Sequence, residues 1–218
     1  MHPSLARLYQ CSPHSEFLYF DETYTAPEDP FHDRPFYALT AVQFKYEDHS
    51  AIRQDIQEIV GASYFHSTES LRSSTGQAVF EELVRYCSEN KDPSFVTCNV
   101  DLAQDSNIED ARRECIKHLI SEYAVKIPYL EGFIFEARRE NKDNNRDRRF
   151  LKHLREEKIL PDNIGSAWVS PHEEKLLWVP DLVCMAYRRS MTHQDRTSIY
   201  FSEYLEDFTK VYEFSLNK

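Results

Sequence analysis

Apolar residues fall in short blocks along the first third of the chain. Phe17–Phe20 (Phe-Leu-Tyr-Phe) has the pattern of a strand buried on both faces, and it stops at two acids, Asp21 and Glu22. Ala26–Pro35 carries three prolines and four charges, a loop by composition. Phe36–Phe44 is a second buried strand, close enough to pair antiparallel with the first. Helical spacing then takes over. Ile52, Ile56, Ile59 and Val60 share one face of a helix over 49–61, and Val79, Leu83, Tyr86 and Cys87 mark another that Pro93 stops.

The same two patterns alternate to the C-terminus. Phe95–Val100 predicts a strand ending at Asp101. Ser106-x-x-Glu109 is a capping box opening a helix through Ile108, Ala111, Cys115 and Leu119. Tyr129–Phe135 is a strand ending at Glu136, and the polar stretch 138–158 reads as loop then helix. Ala167–Val169 is a short strand, and 176–189 a helix with Pro180 tolerated in its first turn. A last amphipathic helix is predicted over 198–214 through Phe201, Tyr204, Leu205, Phe208 and Tyr212. The expected organisation is one α/β domain with a mixed sheet over 16–195. A loosely held lead-in over 1–15 precedes it, and a C-terminal helix within 196–218 packs on it. The aromatic stripe of that last helix is packing against the sheet or, alternatively, a homodimer surface.

Composition narrows the function. In 218 residues, 41% are hydrophobic, which supports a packed core. The four glycines form no phosphate-cradling loop. A net charge of -11 excludes bulk electrostatic nucleic-acid binding. It leaves room for phosphates held through a local basic strip or through divalent metal. The five cysteines are widely separated, so free thiols in a reducing, cytoplasmic setting are expected, with no disulfide framework. No apolar run reaches membrane length.

Three predicted strands end in an acid: Asp21, Asp101 and Glu136. In α/β sheets, sites form outside the carboxyl ends of strands, so parallel neighbours would bring these acids to one cleft. Carboxylate oxygens are the ligands Mg²⁺ and Mn²⁺ prefer, and two such ions can activate water and stabilise the leaving oxygen of a phosphodiester. The bland alternative is that each acid simply begins a polar loop. Asp181, in a helix's first turn, is favoured there by the helix dipole alone, or is a further ligand.

Several of these segments together resemble the prokaryotic family catalogued as domain of unknown function 3800. Phe-Leu-Tyr-Phe-Asp-Glu-Thr is similar to the family's Asp-Glu-Ser-Gly strand end, and Tyr-Phe-His-Ser-Thr-Glu at 64–69 to its His-containing segment. Phe-Ile-Phe-Glu-Ala-Arg at 133–138 and the stretch from Trp178 to Arg189 match its later motifs in order. The resemblance spans about 16–190. It implies a ribonuclease-H-like mixed central sheet flanked by helices, with acids placed for a two-metal nuclease or related phosphoryl-transfer site. There are departures: Tyr24 stands where the family has glycine, Glu136 where aspartate is common, Pro180 where alanine is, and Trp178-Val179 where Leu-Gln is.

The expectation is therefore a divalent-metal-dependent nuclease or phosphoryl-transfer enzyme. Asp21, Glu136 and Asp181 would be ligands and Asp101 a weaker one. Glu22, His66 and Glu69 complete the candidate catalytic set, and nucleic acid is the candidate partner. His66 and Glu69 have a bland alternative in which Ser67-Thr68-Glu69 caps the next helix. The alternative function is a non-catalytic partner-binding module on the same fold, in a defence or toxin-related complex. It predicts Asp21 neutralised by an arginine and an apolar patch near the C-terminus. The arginines from Arg138 to Arg155 are interleaved with acids, which favours a solvated helix laced with ion pairs over a phosphate-binding strip. The 13 tyrosines and 14 phenylalanines are expected in the core, not as a base-stacking platform.

Overall fold

The computed structural model describes residues 2–27, 35–103 and 107–215. In chain order these form α1 (Pro3–Leu8), β1 (Glu16–Thr25), β2 (Phe36–Lys45), α2 (His49–Val60), α3 (Ser67–Ser70) and α4 (Ser74–Asn90). There follow β3 (Ser94–Val100), α5 (Ile108–Glu122), β4 (Leu130–Glu136), α6 (Asn141–Glu156), β5 (Gly165–Val169), α7 (Trp178–Thr192) and β6 (Thr209–Phe214). The strands make one mixed sheet in the order β5-β4-β1-β2-β3-β6. β1, β2 and β3 run antiparallel in succession. β4 lies parallel to β1, β5 to β4 and β6 to β3. This is the α/β class, a mixed central sheet flanked by helices.

The strand period of two divides the long apolar runs between two cores. Phe17, Tyr19, Val42, Phe44, Val96 and Ile134 pack on one face, beneath α7 and with contributions from α1, α2 and α4. Leu18, Phe20, Tyr37, Leu39, Phe133 and Phe135 pack on the other, beneath α5 and α6. Both faces are covered, which is why these strands read as nearly continuous hydrophobic runs.

Four features differ from the sequence expectation. β1 does not end at Asp21; Thr23, Tyr24 and Thr25 suit a strand and continue the ladder with β2 to the pair Thr25–Phe36. Tyr24 is thus an ordinary strand residue where a turn glycine was expected. The lead-in is docked, because α1 buries Leu5 completely and places Tyr9 in the core. Of the capping box, Ser106 lies outside the described residues. The cap of α5 is Asn107, whose Oδ1 accepts from Glu109 N at 2.9 Å.

The last difference is at the C-terminus. Instead of one helix, 3-10 and π turns over 196–208 lead into β6, which pairs with β3. Phe201 and Leu205 are nevertheless buried, so the stripe serves as packing. Thr209-Lys-Val-Tyr-Glu-Phe is rich in β-branched and aromatic residues, and the exposed edge of β3 offers it a ladder that outweighs helical spacing. Among the described residues no helix is long and apolar enough to cross a membrane.

Candidate functional site

The register of β1 with β4 carries the site. Leu18 pairs with Phe133, Tyr19 with Ile134 and Phe20 with Phe135. The next step sets Asp21 beside Glu136, the last residue of β4. By alternation, both side chains follow Tyr19 and Ile134 onto the face beneath α7. α7 packs across β1 and β2, and Asp181 stands in its first turn. The three acids line one cleft of about 660 Å³, and His66 lines it too.

Each of the three carboxylates keeps part of its surface open to the cleft, yet dense surrounding protein raises its proton affinity. For Asp21, burial is the leading cause, and the charges of Asp181 and Glu136 add to it. For Glu136, burial is joined by the charge of Asp181 and opposed by His66. For Asp181, burial is opposed by His66 and by the Ser67 N–H, which donates to Oδ2 at 2.8 Å. Asp181 raises the proton affinity of Glu136, and both raise that of Asp21, a field that a cation would relieve.

His66 is oriented by α3. It is the N-cap of that helix, and its Nδ1 accepts from Thr68 N at 3.2 Å. The neutral ring therefore carries its proton on Nε2. α3 is held close to α4 at Gly76, where a Cβ would stand 2.0 Å from Ser70 O.

Hard oxygen donors fit Mg²⁺ or Mn²⁺ by chemistry. Among the described residues no three His, Cys, Asp or Glu side chains stand closed around one point as the ligands of an ion would.

Of the remaining sequence candidates, Glu22 also lines the cleft, but from the opposite face of β1, where it meets the Tyr37 hydroxyl and the Arg112 guanidinium. Asp101 is not gathered. Asp21 is level with Val96 through Thr40, and Asp101 lies five residues further on, about 16 Å along a strand two positions away. Parallel direction alone did not bring it in, because β2 separates β3 from β1. Glu69 is exposed on α3 and is not among the residues lining the cleft.

On the opposite face Arg112, which the sequence reading passed over, meets Asp147, which it had placed among the solvated ion pairs of 138–158. Arg112 donates to Asp147 through Nε at 3.1 Å and Nη2 at 2.8 Å, and to Tyr37 through Nη1 at 2.9 Å. Both charges are buried. A signal existed: Arg112 falls four residues before Ile116, and Asp147 four before Leu151, so each sits on the apolar stripe of its helix. Opposite charges on two inward faces are a pair waiting for a partner. Within 138–158, Arg138 is paired with Glu109 and Arg146 with Asp143 at 3.0 Å, while Arg148 and Arg149 bond to Asn145.

No family model matches the chain, and no curated protein matches it. Among solved structures it is similar to Bst ribonuclease HIII, determined in complex with Mn²⁺. The identity is 11% and the TM-score 0.48, covering 84% of this chain and 55% of that one. The chain thus spans about half the length of that protein.

Proposed function

We propose that the cleft is a divalent-metal-dependent phosphodiester-cleaving or phosphoryl-transfer site on a ribonuclease-H-like scaffold, acting on nucleic acid. The carrying observation is that Asp21, Glu136 and Asp181, from two parallel strands and a helix start, line one cleft, where Asp181 raises the proton affinity of Glu136 and both raise that of Asp21. These three residues would hold Mg²⁺ or Mn²⁺. Bound divalent ions supply a nucleophilic hydroxide near neutral pH and charge stabilisation at the leaving oxygen. Ser67 N–H fixes the Asp181 carboxylate, and the neutral His66 ring, its Nδ1 occupied by Thr68 N–H, can donate a hydrogen bond from Nε2 into the cleft. Membership of the domain of unknown function 3800 family belongs to the same proposal, supported by the order of its motifs over 16–190.

The non-catalytic alternative draws less support. It predicts neutralised acids, for instance Asp21 paired with an arginine; the charge of Arg112 opposes the rise at Asp21, but its donors go to Glu22, Asp147 and Tyr37. The direct test is a panel of DNA and RNA substrates with Mn²⁺, comparing the native protein with Asp21→Asn. Cleavage by the native protein that the variant lacks is expected. Equal cleavage by both, or none on any substrate, removes the proposal.

A further inference from the structure

Three residues beyond Asp21, Tyr24 leaves 47% of its surface exposed and lines the same cleft as the acids. One side of its ring is braced. Tyr37, its partner across the β1–β2 ladder, lies nearly parallel to it, with ring centres 6.1 Å apart and 12° between planes. Tyr37 is itself buried and fixed through its hydroxyl by Glu22 and Arg112. The strand end is held as well, since Arg188 Nη1 donates to Tyr24 O at 2.8 Å and to Thr23 Oγ1 at 3.0 Å. An aromatic ring backed by a fixed neighbour and otherwise open to a cleft is a preformed surface for another planar ring, with little ordering cost on binding.

Arg139 supplies the complementary charge. It is exposed, lines the cleft and follows Glu136 by three residues. Among the described residues it makes no ion pair or hydrogen bond, whereas Arg112, Arg138, Arg188 and Arg189 are all engaged. The ladder between β1 and β4 stops at Phe20–Phe135, so the β4-side edge of β1 from Asp21 onward borders the cleft. From Asp21 to Tyr24 is about 10 Å along that edge.

We infer that Tyr24 and Arg139 form a nucleotide subsite for single-stranded nucleic acid, a base stacking on Tyr24 and a phosphate meeting Arg139. This rests on the phosphodiester reading of the cleft and names its substrate class. A stacked base needs a free face, which a single strand offers and a duplex interior does not.

The test is fluorescence anisotropy in EDTA with a labelled oligothymidine of about twelve nucleotides, against a duplex of equal length. The native protein should bind the single strand more tightly. Tyr24→Ala should weaken binding by about fivefold to 150-fold, while Tyr24→Phe, which keeps the ring, stays within about twofold of native. Arg139→Ala should weaken it too and lower the slope of log affinity against log salt by about 0.7. Tyr24→Ala binding as tightly as native, a preference for duplex, or no binding by the native protein overturns the subsite. Hydrolysis with Asp21→Asn is scored separately, so loss of the subsite and loss of the catalytic reading are distinguishable.

Discussion

Asp21 and Glu22 are neighbours on β1 that face opposite sides of the sheet. Asp21 enters a cleft where Glu136 and Asp181 raise its proton affinity. Glu22 enters a buried ionic cluster with Arg112 and Tyr37. Adjacent acids of the same strand thus have opposed relations to the fold. One is held against like charge, the other is held by an opposite charge.

Removing the two charges should therefore move stability in opposite directions. Asp21→Asn relieves burial of charge and repulsion, so its unfolding midpoint at neutral pH should lie above that of the native protein while hydrolysis is lost. Glu22→Gln leaves Arg112 with only Asp147 as a counter-charge and should cost about 1–3 kcal/mol. Urea titrations of both variants check this. A destabilised Asp21→Asn protein would mean that its carboxylate is held by favourable contacts instead.

Divalent metal should stabilise the folded protein by filling the acidic cleft. At about a hundredfold excess over its dissociation constant, Mn²⁺ should add about 2.7 kcal/mol. Protons compete for the same oxygens, whose proton affinity is raised, so the gain should shrink as pH falls. Scanning calorimetry with and without Mn²⁺ measures it. The doubly substituted Asp21→Asn, Asp181→Asn protein should show no shift.

Much of this was legible in the chain because the sheet is buried on both faces. Runs such as Phe17–Phe20 and Phe36–Phe44 mark central strands whatever their neighbours, and the acids that follow them are conspicuous. What stayed hidden depended on partners distant in sequence. β1 continues beyond Asp21 only because β2 offers a ladder there, and β6 forms because β3 has a free edge. Asp101 had the same local signature as Glu136; lateral strand order, which no local pattern contains, separates them. Arg112 and Asp147 were readable as charges on apolar stripes, although neither helix alone shows that the two meet.

The hold of α3 on Asp181 can be tested without removing a side chain from the acidic set. Ser67 is the first residue of α3, a position that accepts proline, and His66 before it has the extended backbone that proline requires (φ -147°, ψ 122°). Ser67→Pro deletes the N–H donated to Asp181 Oδ2. A hydrogen bond to a carboxylate is worth about 1.5–3 kcal/mol, so the Asp181 carboxyl should hold its proton to still higher pH. The pH–rate profile of metal-dependent hydrolysis should move upward by about one to two units. Ser67→Ala, which keeps the N–H and removes only the hydroxyl, should move the profile less.

His49 gives the folded protein an acid-sensitive point that is not among the residues lining the cleft. It is buried among Tyr9, Phe17, Tyr19 and Tyr46, and burial, aided by the charge of Arg53, lowers its pKa to about 3. The unfolded chain binds this proton near pH 6.5, whereas the folded chain does so only near 3. Between those limits the unfolded state carries the extra proton, so stability rises with pH and is lost as pH falls, by about 1.4 kcal/mol per unit from this group. Asp92 works against it. Its carboxyl, raised to about 6 chiefly by burial, favours the folded state only while protonated, so its contribution falls as pH rises from about 4 to 6. The two slopes oppose each other in that interval, and a denaturation midpoint from these groups should vary little across it. His49→Gln should leave Asp92 uncompensated and turn the flat region into a decline with rising pH. Asp92→Asn should expose the rise due to His49. Midpoints measured from about pH 4 to 7 for the three proteins decide it, and parallel curves for native and His49→Gln would show that His49 titrates normally in the fold.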